Sequence, residues 1–120
     1  MMFTTLQVAL GGAIGAALRF LLGMALLRPG FPVGVLTANV VGSFLMGLAV
    51  VYLGRNAPGW QPFVLTGVLG GFTTFSAFSL ETLTLIERGD TGQALSYVAL
   101  SVGLSLAAIW LGVTFARSLA

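Results

Sequence analysis

The sequence predicts an all-α membrane protein of four transmembrane helices, the third of them broken, forming a single domain over residues 1–120. Three observations predict it. Apolar residues make up 58% of the chain and charged residues only 7%, with a mean hydropathy of +1.05, whereas soluble domains carry about a quarter charged residues. The charged positions leave four uncharged stretches, residues 1–18, 29–54, 56–80 and 91–116, each near or beyond the roughly 20 apolar residues that a spanning helix needs. The third stretch has a centre rich in glycine and hydroxyl groups, Gly67 and Gly70-Gly71-Phe72-Thr73-Thr74-Phe75-Ser76, which predicts a break there. Four spans use up nearly all of 120 residues and leave no room for a soluble nucleotide-binding or catalytic domain. With 0 Cys and 0 His, disulfides, thiolates, imidazole bases and Cys/His metal sites are excluded. An isoelectric point near 10.0 rests on 5 basic against 3 acidic residues. They are scattered singly, so no nucleic-acid partner is expected.

The first helix is expected from about residue 4 to 27, carrying Gly11, Gly12 and Gly15, with Arg19 as its only charge. No basic residue precedes it and it outruns a signal's apolar region, so it reads as a span rather than a cleaved leader. Arg28-Pro29-Gly30-Phe31-Pro32 then interrupts the helix, since Pro and Gly together disfavour continuation. A second helix is expected over 33–53, closed by Arg55-Asn56-Ala57-Pro58-Gly59. The third covers 60–86, the loop Glu87-Arg88-Gly89-Asp90 follows, and the fourth runs from 91 to 116, just ahead of Arg117.

Four spans place both termini on one face of the membrane with the loop after the second helix. That face holds Arg55 and Arg117, and the opposite face holds Arg28 and Arg88, with Arg19 adding at most one. Such a balance gives almost no positive-inside bias. A chain without a bias can insert either way up, so two copies in opposite orientations can pair about a two-fold axis in the membrane plane.

Within a bilayer, small residues that let backbones approach closely drive much of helix packing. Gly11/Gly15, Gly12/Ala16 and Gly34/Ala38/Gly42 have the required spacing and predict a compact bundle. Polar side chains at membrane depth must find partners or line an aqueous or ionic path. Asn39 and Ser43 share one face of the second helix, and Tyr97, Ser101 and Ser105 form a stripe on the fourth. Phe72, Phe75 and Phe78 form a ridge just past the glycines. An aromatic ring carries a positive edge, so rings presented edge-on solvate a small anion without net charge, with amide and hydroxyl donors completing the shell. Arg19 and Glu81 are the intramembrane ionisable residues and are functional candidates for that reason, for a vestibule or for coupling.

Three stretches together, Gly11-Gly12-Ala13-Ile14-Gly15-Ala16-Ala17-Leu18-Arg19-Phe20, Gly34-Val35-Leu36-Thr37-Ala38-Asn39-Val40-Val41-Gly42-Ser43-Phe44 and Gly70-Gly71-Phe72-Thr73-Thr74-Phe75-Ser76-Ala77-Phe78, resemble the fluoride channel family known as CrcB or Fluc. The resemblance runs the length of the chain with the motifs in order. It implies a dual-topology, antiparallel homodimer in the cell inner membrane, with two antiparallel pores that passively export cytoplasmic fluoride. It implies Asn39 as the pore amide, Phe75 and Phe78 as edge-on fluoride ligands, and Tyr97, Ser101 and Ser105 as a polar track. It also implies a structural sodium ion on the dimer axis, held by the backbone carbonyls of Gly70 and Thr73. The chain departs from the family pattern at Val35, where a threonine is common, at Ala77 between the two ligand phenylalanines, and at Phe20, where tyrosine is frequent.

The main alternative is a small multidrug-type, proton-coupled cation antiporter, similar in length, helix number and topology. Such a transporter needs a titratable carboxylate in the bundle, typically in the first helix. This chain has Arg19 there, and Glu81 comes late in the third span. A non-transporting membrane adaptor would account for the glycine spacings but not for the hydroxyl stripes or the phenylalanine ridge.

Overall fold

Helix α1 covers Met2–Ala25 and α2 covers Val33–Asn56 in the computed structural model, which describes residues 1–27 and 29–119; Arg28 of the expected first loop and Ala120 lie outside them. Pro58–Trp60 forms a single tight turn. A wide, π-wound stretch Pro62–Leu69 and an α-helical turn Gly70–Phe72 together make α3, α4 runs Phe75–Glu87 and α5 runs Thr91–Ser118. The molecule is all-helical, with four helices long and apolar enough to cross a membrane, Met2–Ala25, Val33–Asn56, Pro58–Glu87 and Thr91–Ser118. It is a multi-pass membrane protein. A helix of 24 residues such as α1 is about 36 Å long, enough to cross a hydrocarbon layer about 30 Å thick. The second helix outruns its expected end by including Arg55 and Asn56. Nothing in that stretch breaks a helix before Pro58, whose ring disfavours helical backbone at the residue ahead of it.

The bundle is assembled from two close helix pairs. Against α1, α3 packs backbone to backbone: a Cβ added at Gly15 would fall on the Val68 carbonyl and 2.8 Å from Phe72 N, and one at Gly67 would come 2.9 Å from Gly11 Cα. A Cβ at Gly71 would sit 2.7 Å from the Gly12 carbonyl oxygen. Against α2, α5 packs in the same way through Gly47 and Gly112, where a Cβ on Gly112 would fall on the Phe44 carbonyl and 3.2 Å from Gly47 Cα. Close approach of this kind replaces the hydrophobic drive that lipid does not supply. The two pairs meet directly where a Cβ on Gly34 of α2 would come 3.1 Å from Gly23 Cα of α1, and α4 buries Phe78 and Leu85 against Ala94 and Tyr97 of α5.

The break lies within its expected stretch, at the threonines rather than the glycines. Gly70 has helical dihedrals (φ −64°, ψ −36°), and the chain leaves the helix at Thr73 (φ −90°, ψ 157°) and Thr74 (φ −155°, ψ 128°) before α4 resumes. The reason is what the glycines do. Gly67 and Gly71 are helical residues whose missing side chains admit α1, so their composition reflects contact rather than backbone freedom.

Candidate functional site

The interrupted third span holds the site, and each side of the interruption is tied down differently. On the α3 side, the Thr73 N–H and hydroxyl both donate to the Leu69 carbonyl, at 3.0 and 2.9 Å. Arg19 Nε donates to the Gly71 carbonyl at 3.2 Å. The Arg19 guanidinium therefore meets the carbonyl end of α3, where the helix dipole favours a cation. On the α4 side, Thr74 is the N-cap, its hydroxyl accepting from Ala77 N at 3.2 Å and lying 3.3 Å from Ser76 Oγ.

Asn39 of α2 bridges the gap. Its Oδ1 accepts from the Thr74 N–H at 2.8 Å and its Nδ2 donates to the Thr74 carbonyl at 3.0 Å, pairing with an extended residue as a neighbouring strand would. This has a consequence for two carbonyls. Thr74 N–H is the donor that would have continued the helix onto the Gly70 carbonyl, and Ala77 N–H is the one that would have reached Thr73. Both are diverted, to Asn39 and to the Thr74 hydroxyl, so the Gly70 and Thr73 carbonyls go without their helical partners.

Beside the break lies an open groove of about 600 Å³, lined by Asn39 and Ser43 of α2, Gly70 and Thr73 at the break, Phe75 and Phe78 of α4 and Ser101 and Ser105 of α5. Eight of the candidate residues thus converge. The Phe75 and Phe78 rings stand 5.3 Å apart at 54°; Phe78 is buried, while Phe75 is 76% exposed on the open side. The Ser101 and Ser105 hydroxyls are buried with no hydrogen-bond partner among the described residues. Unpaired buried hydroxyls are costly, and these two remain free to donate to a polar or ionic guest. The first N–H groups of α4 also lack intrahelical acceptors and carry the positive end of its dipole. A groove with aromatic rings, unpaired hydroxyls, a helix N-terminus and no charged side chain among the described residues that line it is suited to a small anion bound weakly. The two diverted carbonyls, hard oxygen donors, are suited to a hard monovalent cation.

Three candidates fall elsewhere. Tyr97, fully buried, does not line the groove; its hydroxyl donates to Glu81 Oε2 at 2.8 Å. Glu81 borders a second cavity of about 440 Å³ on the side of the loop that precedes α2. Arg19 is committed to Gly71 as described.

Comparison with known proteins decides the family. Residues 6–113 match the family described as CrcB-like protein, Camphor Resistance (CrcB). The chain belongs to the CrcB family. It is similar to a protein of Ruegeria sp. (strain TM1040), 58% identical over 122 residues covering 98% of this chain and 97% of the relative. A relative from Cereibacter sphaeroides is 55% identical, with 98% and 97% covered, and one from Rhizobium meliloti is 44% identical, with 95% and 96% covered. Each is named Fluoride-specific ion channel FluC. In this CrcB chain the residues that the sequence pattern does not single out are Phe31, whose ring packs edge-on to Tyr97, and the Gly47–Gly112 contact. Ala108 and Gly112, at the four-residue spacing already used for α1 and α2, were the available signal for the second; nothing local signals the first.

Proposed function

We infer that this CrcB protein is a fluoride-selective channel, carrying fluoride passively out of the cytoplasm and so relieving its toxicity. It is a channel and not an enzyme. The observation that carries this reading is the groove at the break, where two phenylalanine rings and two serine hydroxyls without a partner meet and no charged side chain is found among the described residues that line it, in a chain whose relatives at 44–58% identity bear the fluoride-channel name. Phe75 and Phe78 offer ring edges, Ser101, Ser105 and Ser43 offer hydroxyls, and Asn39 keeps one amide hydrogen beyond its bond to Thr74. Weak, successive neutral sites let an ion enter and leave again, which conduction requires. Tyr97, next along the serine stripe of α5, lies outside the groove and donates its hydroxyl to Glu81.

The working unit in this reading is an antiparallel homodimer in the inner membrane. In a single copy, Gly70 is exposed and the groove is open beside an exposed Phe75. A carbonyl without a donor costs several kcal/mol against lipid, so a covering surface is needed, and the even distribution of arginines favours a second copy inverted relative to the first. In that arrangement Gly70 and Thr73 from each copy would hold a sodium ion through their carbonyls. The ion would supply positive charge that satisfies both breaks at once.

The antiporter alternative is weakened by Glu81. It is the one acidic residue within the span interiors, it is hydrogen-bonded to Tyr97, and it faces the loop-side cavity away from the groove. The test is growth of a fluoride-sensitive bacterial strain on fluoride medium. Wild-type protein should restore growth, while Phe75→Ile and Phe78→Ile, expressed to equal level, should not. Growth restored equally by both variants would overturn the assignment of the groove as the pore.

A further inference from the structure

Four aromatic rings run in contact from the loop ahead of α2 to the break. Phe31 meets Tyr97 with centroids 5.5 Å apart and planes at 86°, Tyr97 lies 5.2 Å from Phe78 at 39°, and Phe78 lies 5.3 Å from Phe75 at 54°. At one end Phe75 and Phe78 line the groove; at the other, Phe31 lines the loop-side cavity together with Glu81. Tyr97, fully buried and lining neither cavity, joins the ring of one to the rings of the other. The backbone aims Phe31 into that position. Gly30 turns the chain at φ 94°, a conformation that favours glycine. Pro32, at φ −80° and ψ 78°, then closes a three-residue turn in which Val33 N–H donates to the Phe31 carbonyl at 2.9 Å. Proline fixes its own φ, so the loop has little freedom to swing the ring away.

We propose that Phe31 is a further pore residue, its ring forming with Tyr97 the constriction through which fluoride passes between the loop-side cavity and the phenylalanine groove. The proposal rests on the fluoride-channel reading and extends its pathway to the membrane surface. The near-perpendicular pairing sets the positive edge of one ring against the face of the other, and the edges left outside that contact are the element that would solvate an anion there, as in the groove. The Tyr97 hydroxyl is donated to Glu81, which leaves ring edges, not hydroxyls, as the surface an anion meets there. Leucine would fill the same core space without offering an edge, and this separates a pore role from packing.

The chain has 0 Cys, which makes a direct test possible in proteoliposomes. Phe31→Leu should lower fluoride efflux about tenfold, the scale expected when one ring edge is removed from the passing ion at a barrier, with an unchanged unfolding midpoint. Phe31→Tyr, which keeps the ring, should conduct at close to the wild-type rate. Phe31→Cys should react with a small charged thiol reagent, and fluoride but not chloride should slow that reaction. Wild-type-like efflux in Phe31→Leu, or an introduced thiol in Phe31→Cys that fluoride does not protect, overturns the proposal while wild-type fluoride flux in the same preparation leaves the channel reading standing. Absence of wild-type flux removes both.

Discussion

Replacing Asn39 by leucine should weaken the fold as well as the flux, and the two losses can be measured apart. Leucine keeps the branched shape of asparagine, so the substitution opens little cavity and removes chiefly the pair of bonds to Thr74 N–H and C=O, at 2.8 and 3.0 Å. Interhelical hydrogen bonds in membranes are worth about 0.6 kcal/mol on average and up to about 1.7, and a buried backbone group left unpaired costs about 1–3 kcal/mol. Two bonds at the membrane average set a floor of about 1.2 kcal/mol and two at the maximum about 3.4. The expected loss is therefore about 2 kcal/mol, roughly a thirtyfold change in the folded-to-unfolded ratio. Reversible unfolding in mixed micelles would measure it, with Val41→Leu on an exposed position of the same helix as the control, expected within about 0.5 kcal/mol of wild type. Flux should fall in Asn39→Leu whether the amide binds fluoride or only holds the break. Stability should fall only if it holds the break, so an Asn39→Leu protein as stable as the control would refute the clamp.

Gly15→Ala should destabilise by about 1–3 kcal/mol through overpacking against the Val68 carbonyl, whereas Gly92→Ala, with open space around it, should gain about 0.5–1 kcal/mol from helix propensity; the same unfolding assay measures both. Ser101→Ala removes a hydroxyl without a partner among the described residues, so its unfolding midpoint should hold or rise while fluoride efflux falls. Leu119→Cys, which introduces the only thiol in the chain, should be labelled by an impermeant reagent from both sides of the membrane in cells; labelling from one side alone would refute the dual orientation. Replacing sodium by a large organic cation during reconstitution should lower dimer stability and flux together, and indifference to sodium at trace levels would remove the ion from the account.

The legible part of the sequence was the part written in local spacing. Charge gaps marked the spans, and four-residue spacing placed Asn39 with Ser43 and Ser101 with Ser105 on faces that the structure brings to one groove. The break was legible as a region, though not which residues within it open the helix. Gly70 and Gly71 look like helix breakers by propensity, yet in a bilayer a glycine is also a contact surface, and Gly71 serves α1 in that way. What opens the helix is Asn39, 35 residues away from Thr74, together with two threonine hydroxyls that supply local caps. The Tyr97–Glu81 bond and the Phe31 contact are likewise pairings between separate elements. No periodicity within one helix encodes them.

The central claim, that a neutral groove at the break conducts fluoride passively, is tested most directly by ion efflux from liposomes containing the purified protein. Fluoride and chloride release are followed in parallel, alongside uptake of a quaternary cation driven by a proton gradient. The account predicts rapid fluoride release without any proton gradient, little chloride release and no cation uptake. Chloride release as fast as fluoride, or proton-driven cation uptake that Glu81→Gln abolishes and Phe75→Ile spares, would contradict it.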